Sequence, residues 1–316
     1  MNATKIEWAD ATINPVVGCS KCSPGCDNCY AERMAARLAK IPATAAKYAG
    51  VVDDKGKWTG VIDFDVSCLT KLPKMPKRIF VGSMCDLFHD SVMDSHLDHI
   101  MGHISLTRAN AHHTFMFLTK RAERMREFFT HWKAYREIAN LWLGVTVCGP
   151  DELHKLESLQ LTPAVKRYVS FEPLLSDLGP VNFDGIDWVI CGGETAPNAR
   201  PMHPDWVRSL RDQCQKAGVP FFFKGWGEWI TIEDQARGSV YEDDVPHMLR
   251  SSGIASHHLR KKNGYLLNGT KGWYEFDPSF TIGRACPVGK KRAGRLLDGV
   301  EYSEFPDTDL RREMER

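Results

Sequence analysis

Residues 114–147 read TFMFLTKRAERMREFFTHWKAYREIANLWLGVTV. Thr114–Thr119 and Leu141–Val147 are short runs rich in β-branched and aromatic residues, and neither alternates with polar positions as a half-exposed strand would. Arg121 to Ala139, between them, carries helix marks, so the stretch is one unit of strand, helix and parallel strand. The same alternation extends outward. Arg78–Met84, Arg167–Glu172, Asp187–Gly193 and Val219–Lys224 read as further strands, and a first strand is expected near Thr12–Val17. Helical marks fall over Asp94–Ala109, Asp151–Leu159 and Pro204–Ala217; in the last, Trp206, Leu210 and Cys214 recur at i, i+4 and i+8 and Gly218 supplies the stop. Units recurring every 25 to 35 residues or so define an α/β fold. Six or seven parallel strands fall short of the eight that close a barrel, so the expected architecture is a partial (β/α)6-7 TIM-type barrel.

Two segments depart from the repeat. Residues 40–75 read as an irregular insertion, and residues 230–282 are turn-rich with mixed charge and one possible strand at Trp273–Phe276. The expected division is a barrel over 1–229 and an extension over 230–316 that caps the mouth, its Gly289–Pro306 tail packing back on the barrel. The composition suits a globular chain: 316 residues, 43% hydrophobic and 26% charged, with 41 basic against 40 acidic side chains. A net charge of +1 excludes a uniformly basic nucleic-acid coat but permits basic patches. No apolar run reaches the 18 or so residues of a bilayer span, and MNATKIEWAD at the start lacks a signal pattern, so the expectation is a cytoplasmic protein without membrane contact.

Four of the ten cysteines crowd into GCSKCSPGCDNCYAE: Cys19, Cys22, Cys26 and Cys29. The other six are scattered and read as small buried hydrophobes. Cys22-x3-Cys26-x2-Cys29 lies where the first strand should end, just before a helix beginning near Tyr30. Three thiolates so spaced suit three irons of a 4Fe-4S cluster, leaving the fourth iron open to a small-molecule ligand. A structural zinc closed by all four thiolates is the main rival, although zinc ribbons separate their cysteine pairs by a dozen or more residues. A fully ligated electron-transfer cluster is the other. A loop at the C-terminal end of a barrel strand favours the open cluster, because active sites sit there.

Further stretches follow in order: IEWADATINPVVGC, SPGCDNCYAERMA, VGSMCDLFH, FLTKRAERM, LWLGVTV, SFEPLL, DWVICGGETAPNARP, FFFKGWGEW and GKKRAGRLLDGVEYSEFP. Together, over about residues 5–306, they resemble the phage-associated three-Cys-motif family of radical-SAM-like proteins. The resemblance implies a radical-SAM-like partial barrel holding a 4Fe-4S cluster and S-adenosylmethionine, and reductive cleavage of the latter to a 5′-deoxyadenosyl radical. It also implies an external electron donor such as flavodoxin or ferredoxin and, for a phage-encoded chain, the host cytoplasm. Two features depart from the pattern. Asn28 stands where radical SAM enzymes usually carry an aromatic residue, and many members of the three-Cys family lack a cysteine at the position of Cys22. The third metal ligand beside Cys26 and Cys29 is therefore open between Cys19 and Cys22; the expected set is Cys22, Cys26 and Cys29, which completes the usual spacing, with Cys19 as the alternative.

Polar residues at strand ends complete the candidate site. Ser83 and Asp86 follow the second strand, where radical SAM proteins hold the amino and carboxylate groups of the cofactor; Asp86 reads equally as a helix cap. Thr119, Lys120 and Arg121 end the third strand and suit a carboxylate or phosphate, or a solvated helix start. Glu172 ends an apolar strand, where a carboxylate needs a ligand or an internal cation. Gly192, Gly193 and Glu194 permit close backbone approach to a cofactor, and Lys224 faces substrate or snorkels at the rim. Glu172 and Lys224 join the three cysteines as candidate catalytic residues. Two basic clusters, His257–Lys262 and Lys290–Arg292 with Arg295, suit a phosphate backbone, and Trp273 and Tyr274 suit base stacking; a solvated face is the alternative for each. His89, His112 and His113 lack metal spacing.

These readings lead to a radical SAM enzyme that modifies a nucleic-acid base, such as a hypermodified pyrimidine in phage DNA, with isomerisation as the favoured outcome. The alternatives are a nucleic-acid-binding or repair-associated protein with a structural metal centre, and the same chemistry on a small metabolite.

Overall fold

The computed structural model describes residues 2–70, 72–105, 110–135, 138–231, 258–261, 264–267, 274–276, 284–287 and 289–307. In chain order the elements are β1 (Asn2–Ala3), β2 (Ala11–Ile13), β3 (Val16–Val17), α1 (Tyr30–Leu38), α2 (Pro42–Tyr48), β4 (Asp63–Phe64), β5 (Arg78–Val81), α3 (Asp94–Ser105), β6 (Thr114–Thr119) and α4 (Ala122–His131). There follow β7 (Leu141–Thr146), α5 (His154–Gln160), β8 (Lys166–Phe171), β9 (Trp188–Gly192), α6 (Pro204–Ala217) and β10 (Phe221–Gly225). The remainder is β11 (Trp229–Thr231), β12 (His258–Lys261), β13 (Gly264–Leu267), β14 (Tyr274–Phe276), β15 (Arg284–Pro287), α7 (Lys290–Ala293), β16 (Leu296–Leu297) and β17 (Val300–Glu301).

Seven parallel strands, in the order β2-β5-β6-β7-β8-β9-β10, form a curled half-barrel, and β1 adds antiparallel to β2. Strand residues alternate between two cores. Ile79, Phe115, Leu143, Val169, Val189 and Phe221 face outward and pack with α3, α4, α5 and α6. Met116, Trp142, Tyr168, Trp188, Ile190 and Phe222 face inward and pack with Trp8. Tyr168 fits only because β7 has Gly144 opposite: an added Cβ there would lie 2.4 Å from the ring. The Tyr168 hydroxyl donates to the Phe117 carbonyl at 2.9 Å and fixes the ring in place.

The tail seals the open side of β10. Phe223 N donates to the Tyr302 carbonyl at 3.0 Å, Glu304 N to the Phe221 carbonyl at 3.3 Å, and Phe222 bridges Ser303 antiparallel. Phe305 reaches across the floor to touch Trp188 and Phe222, with the Arg78 guanidinium 4.1 Å over its ring. Residues 302–305 thus lie against the edge and floor of the barrel. Strands β11 to β15 form a separate five-stranded antiparallel sheet in the order β11-β15-β14-β13-β12. Most of residues 230–283, including Trp273, His257 and Lys262, lie outside the described residues, as do the side chains of β12.

Several boundaries differ from the sequence reading. The strand expected over Thr12–Val17 breaks after Ile13, because Pro15 has no N–H to donate; Val16 and Val17 turn away to pair with β4. Residues 40–75 are more ordered than expected, containing α2, β4 and a short helical turn at Val66–Thr70. The helix expected over Arg121–Ala139 ends at His131 and continues as a 3-10 turn over Lys133–Tyr135. Helix α6 matches its expected bounds; His203 accepts from Asp205 N at its start, and Gly218 adopts φ 68° at its end. Among the described residues no helix is long and apolar enough to cross a membrane.

Candidate functional site

The cysteine loop occupies 19–29, after β3 and before α1, at the C-terminal ends of the parallel strands. Ser23 caps a 3-10 turn at Pro24–Cys26, its Oγ accepting from Gly25 N at 3.2 Å. Cys22 is exposed, while Cys19, Cys26 and Cys29 are partly buried. The Cys22 and Cys26 side chains hydrogen-bond to each other; that bond, with Lys120 nearby, lowers the Cys26 thiol against the opposing effect of burial. The same bond and burial push Cys22 up. Burial and the Asp86 charge raise Cys19 to about 11, against the pull of Arg121.

Two arginine–carboxylate pairs hold the loop from opposite ends. At the Cys19 end, Arg121 donates from Nη2 to the Ser20 carbonyl (3.2 Å) and to Ser20 Oγ (2.8 Å), and from Nη1 toward Cys19 Sγ at 3.9 Å. Its own counter-ion is Asp86, at 3.2 Å. At the other end, Arg200 donates to the Pro24 carbonyl (2.8 Å) and Asp27 Oδ2 (3.3 Å), with Glu194 as its counter-ion at 2.6 Å. Asn28 Nδ2 donates to Glu194 Oε2, and Arg33 of α1 donates to the Thr195 carbonyl.

The candidate residues gather at this mouth, but several are occupied by protein partners. Asp86 is buried and accepts from Thr119 Oγ1 (2.6 Å), Phe88 N (3.0 Å), Lys120 N (3.0 Å) and Arg121. Two oxygens with four donors have little left for a ligand. Ser83 Oγ donates to Asn14 Oδ1 at 3.1 Å. Glu194 is likewise filled, by Arg200 and Asn28. Gly193 is small for a protein reason: an added Cβ would lie 2.1 Å from the Trp226 carbonyl oxygen. Glu172 and Lys224 form an ion pair across Gly192, inside the barrel. Burial lowers the Lys224 pKa, but Glu172 outweighs it and the net shift is upward.

Lys120 differs from these. No hydrogen-bond partner for its ammonium is found among the described residues. Burial opposes its charge, yet the thiols of Cys148, Cys26 and Cys29, together with Asp86, raise its pKa overall. Cys148 lies under the loop, its Sγ 2.5 Å from where a Cβ on Gly25 would stand.

Among the described residues, no three His, Cys, Asp or Glu side chains converge as ligands of one ion. A cubane takes each thiolate on a different iron, so its ligands ring a volume instead of meeting at a point. The donor set fits such a cluster: four thiols on one loop, Cys22 and Cys26 in contact, with cationic Lys120 and Arg121 alongside.

A family model described as "Protein of unknown function (DUF5131)" matches residues 3–306. The chain belongs to the DUF5131 family. No curated protein matches it significantly. Among solved structures it is similar to a cysteine-to-serine variant of spore photoproduct lyase, with TM-score 0.38 and 10% identity over 90% of this chain and 70% of that one. A cysteine-to-alanine variant with dinucleoside spore photoproduct gives TM-score 0.37 and 11% identity over the same shares.

In this DUF5131 chain, sequence reasoning missed the roles of Arg200 and Asn28, and of Asn14, which takes Ser83 Oγ and Met84 N together. Asn28 did carry a signal, since it stands where an aromatic residue was expected. His89, for which no claim was made, lies 2.8 Å from Ser20 Oγ through Nε2, and its Nδ1 accepts from Ser91 N. Of the basic clusters, Lys290–Arg292 forms α7, just after which the Gly294 carbonyl accepts from Trp226 N beyond the end of β10, and Lys290 pairs with Glu7 at 2.8 Å.

Proposed function

We propose that this chain is a radical S-adenosylmethionine enzyme acting on a nucleic-acid base, such as a hypermodified pyrimidine in phage DNA. The observation that carries the reading is the cysteine loop at the strand C-termini, its thiols flanked by two cations. Cys22, Cys26 and Cys29 would hold the cluster. The contact between Cys22 and Cys26 supports Cys22 over Cys19, whose sulfur is directed to Arg121 and the Ser20 carbonyl. When bound, a 4Fe-4S cluster with one open iron supplies the electron that splits S-adenosylmethionine into methionine and a 5′-deoxyadenosyl radical.

The chain's own residues have separate tasks. Lys120 offers an unpaired ammonium to the cofactor carboxylate. Asp86 serves the site indirectly, by fixing Thr119, Lys120 and Arg121. Glu172 and Lys224 face the interior as a proton-holding pair beside the substrate. The aromatic floor below them keeps water from the reacting space. Lys290, Lys291 and Arg292 on α7 would meet a phosphate backbone.

The test is anaerobic reconstitution followed by incubation with reductant and S-adenosylmethionine, with and without DNA carrying modified pyrimidines. The expected result is iron and sulfide matching one 4Fe-4S cluster per chain and 5′-deoxyadenosine whose yield responds to the DNA. Tightly held zinc and no 5′-deoxyadenosine would overturn the reading.

A further inference from the structure

We infer that Arg200 is a positioning residue, which sets the Cys26–Cys29 half of the cysteine loop in place before any metal arrives. Its purpose, though not its geometry, rests on the cluster reading above.

A loop that aims thiols at a shared volume leaves backbone groups without helix or sheet partners, and something else must fix them. Arg200 does so with one planar group. Its Nε and Nη2 form a two-point contact with Glu194, at 3.0 and 2.6 Å, while its backbone N donates to the same carboxylate at 2.7 Å. The rest of the fork reaches the Pro24 carbonyl and Asp27 Oδ2. Glu194 is 5% exposed and is also held by Asn28 Nδ2 at 2.9 Å, so the anchor is itself rigid. Asn28 donates in turn to the Asn198 carbonyl at 2.9 Å. The 193–203 segment therefore grips residues 24–28, on both sides of Cys26 and directly before Cys29.

Within the described loop residues the hydrogen bonds of Arg121 go to Cys19 and Ser20, so the two ends of the loop have separate supports. Cys22 lies between them, exposed. A lysine at 200 would carry the charge but not the geometry, because an ammonium on a flexible stem cannot meet Glu194, Pro24 and Asp27 at once.

Metal-free, reduced full-length protein treated with iodoacetamide, each cysteine's rate read by peptide mass spectrometry, tests the assignment. Arg200→Ala is expected to speed alkylation of Cys26 and Cys29 by about fivefold or more, leaving Cys19 and the buried Cys214 at wild-type rates. Arg200→Lys should not restore protection. Arg121→Ala should give the converse pattern, with Cys19 accelerated and Cys29 unchanged. If Arg200→Ala also exposes Cys214, the chain has opened globally, and Asn28→Ala becomes the deciding variant: a faster Cys29 with a slow Cys214 supports the grip. Cys26 and Cys29 rates within about twofold of wild type in a folded variant, or full rescue by lysine, would overturn it. Zinc or no metal in the wild-type protein would remove the cluster reading and leave these ratios as valid as before.

Discussion

The floor and the mouth of the half-barrel are built from the same strands to opposite rules. At the floor, inward side chains are aromatic and closely fitted: Trp188 is fully buried, touches Trp142, Tyr168 and Phe305, and donates its indole N–H to the Glu304 carbonyl at 2.8 Å. A few residues further along, the same strands end in Lys120, Glu172 and Lys224. Apolar burial contributes stability in proportion to area, whereas partly buried charges roughly break even against their desolvation. The floor therefore holds the fold together, and the mouth is free to carry chemistry.

Substitutions can break or sharpen that contrast. The largest expected effect is at the mouth: Cys26→Ala should reduce bound iron and 5′-deoxyadenosine to background while the urea midpoint stays near wild type. At the floor, Trp188→Ala should cost about 3–5 kcal/mol in urea unfolding, through lost burial and a cavity. Gly144→Ala should cost about 1–3 kcal/mol, since the Tyr168 ring is tied by its hydroxyl and cannot swing clear. By contrast, the paired change Glu172→Leu with Lys224→Met should stay within about 1 kcal/mol of wild type and still abolish turnover. A loss above about 3 kcal/mol for the pair would erase the distinction between the two ends.

The smallest effect is a slope with pH. Burial tends to raise the carboxyls of Glu7, Asp10, Glu152 and Asp298. Their partners Lys290, Arg78, Lys155 and the Arg208–Arg211 pair outweigh it and hold all four below their ordinary values. Depressed groups stabilise the fold above their unfolded pKa of about 4, and that contribution is lost as pH falls through the folded value. These four groups should leave the melting temperature level between about pH 6 and pH 8 and lower it below about pH 4. A flat profile down to about pH 3 would contradict their pairing.

Much of the floor was legible in the sequence, because strand and helix periodicities are local. Thr114–Thr119 and Pro204–Ala217 fall where the pattern put them. The position of the cysteine loop was legible for the same reason, being fixed by a strand before it and a helix after. The supports of that loop were not. Asn28 meets Glu194, and Arg200 meets Pro24, across more than 160 residues, a separation at which no spacing rule operates. Asp86 and Glu194 drew attention as carboxylates at strand ends, but only the fold reveals that their oxygens are already filled.

The cover on β10 has a consequence for biosynthesis. Its exposed edge is made long before the 302–304 segment that satisfies it, and at about 5–20 residues per second the unfinished sheet spends several seconds with that edge bare. A bare edge is a template for neighbouring chains. Products cut short before Tyr302 should therefore clump instead of folding to a smaller domain, and the sheet is complete only once residues 302–304 have left the ribosome.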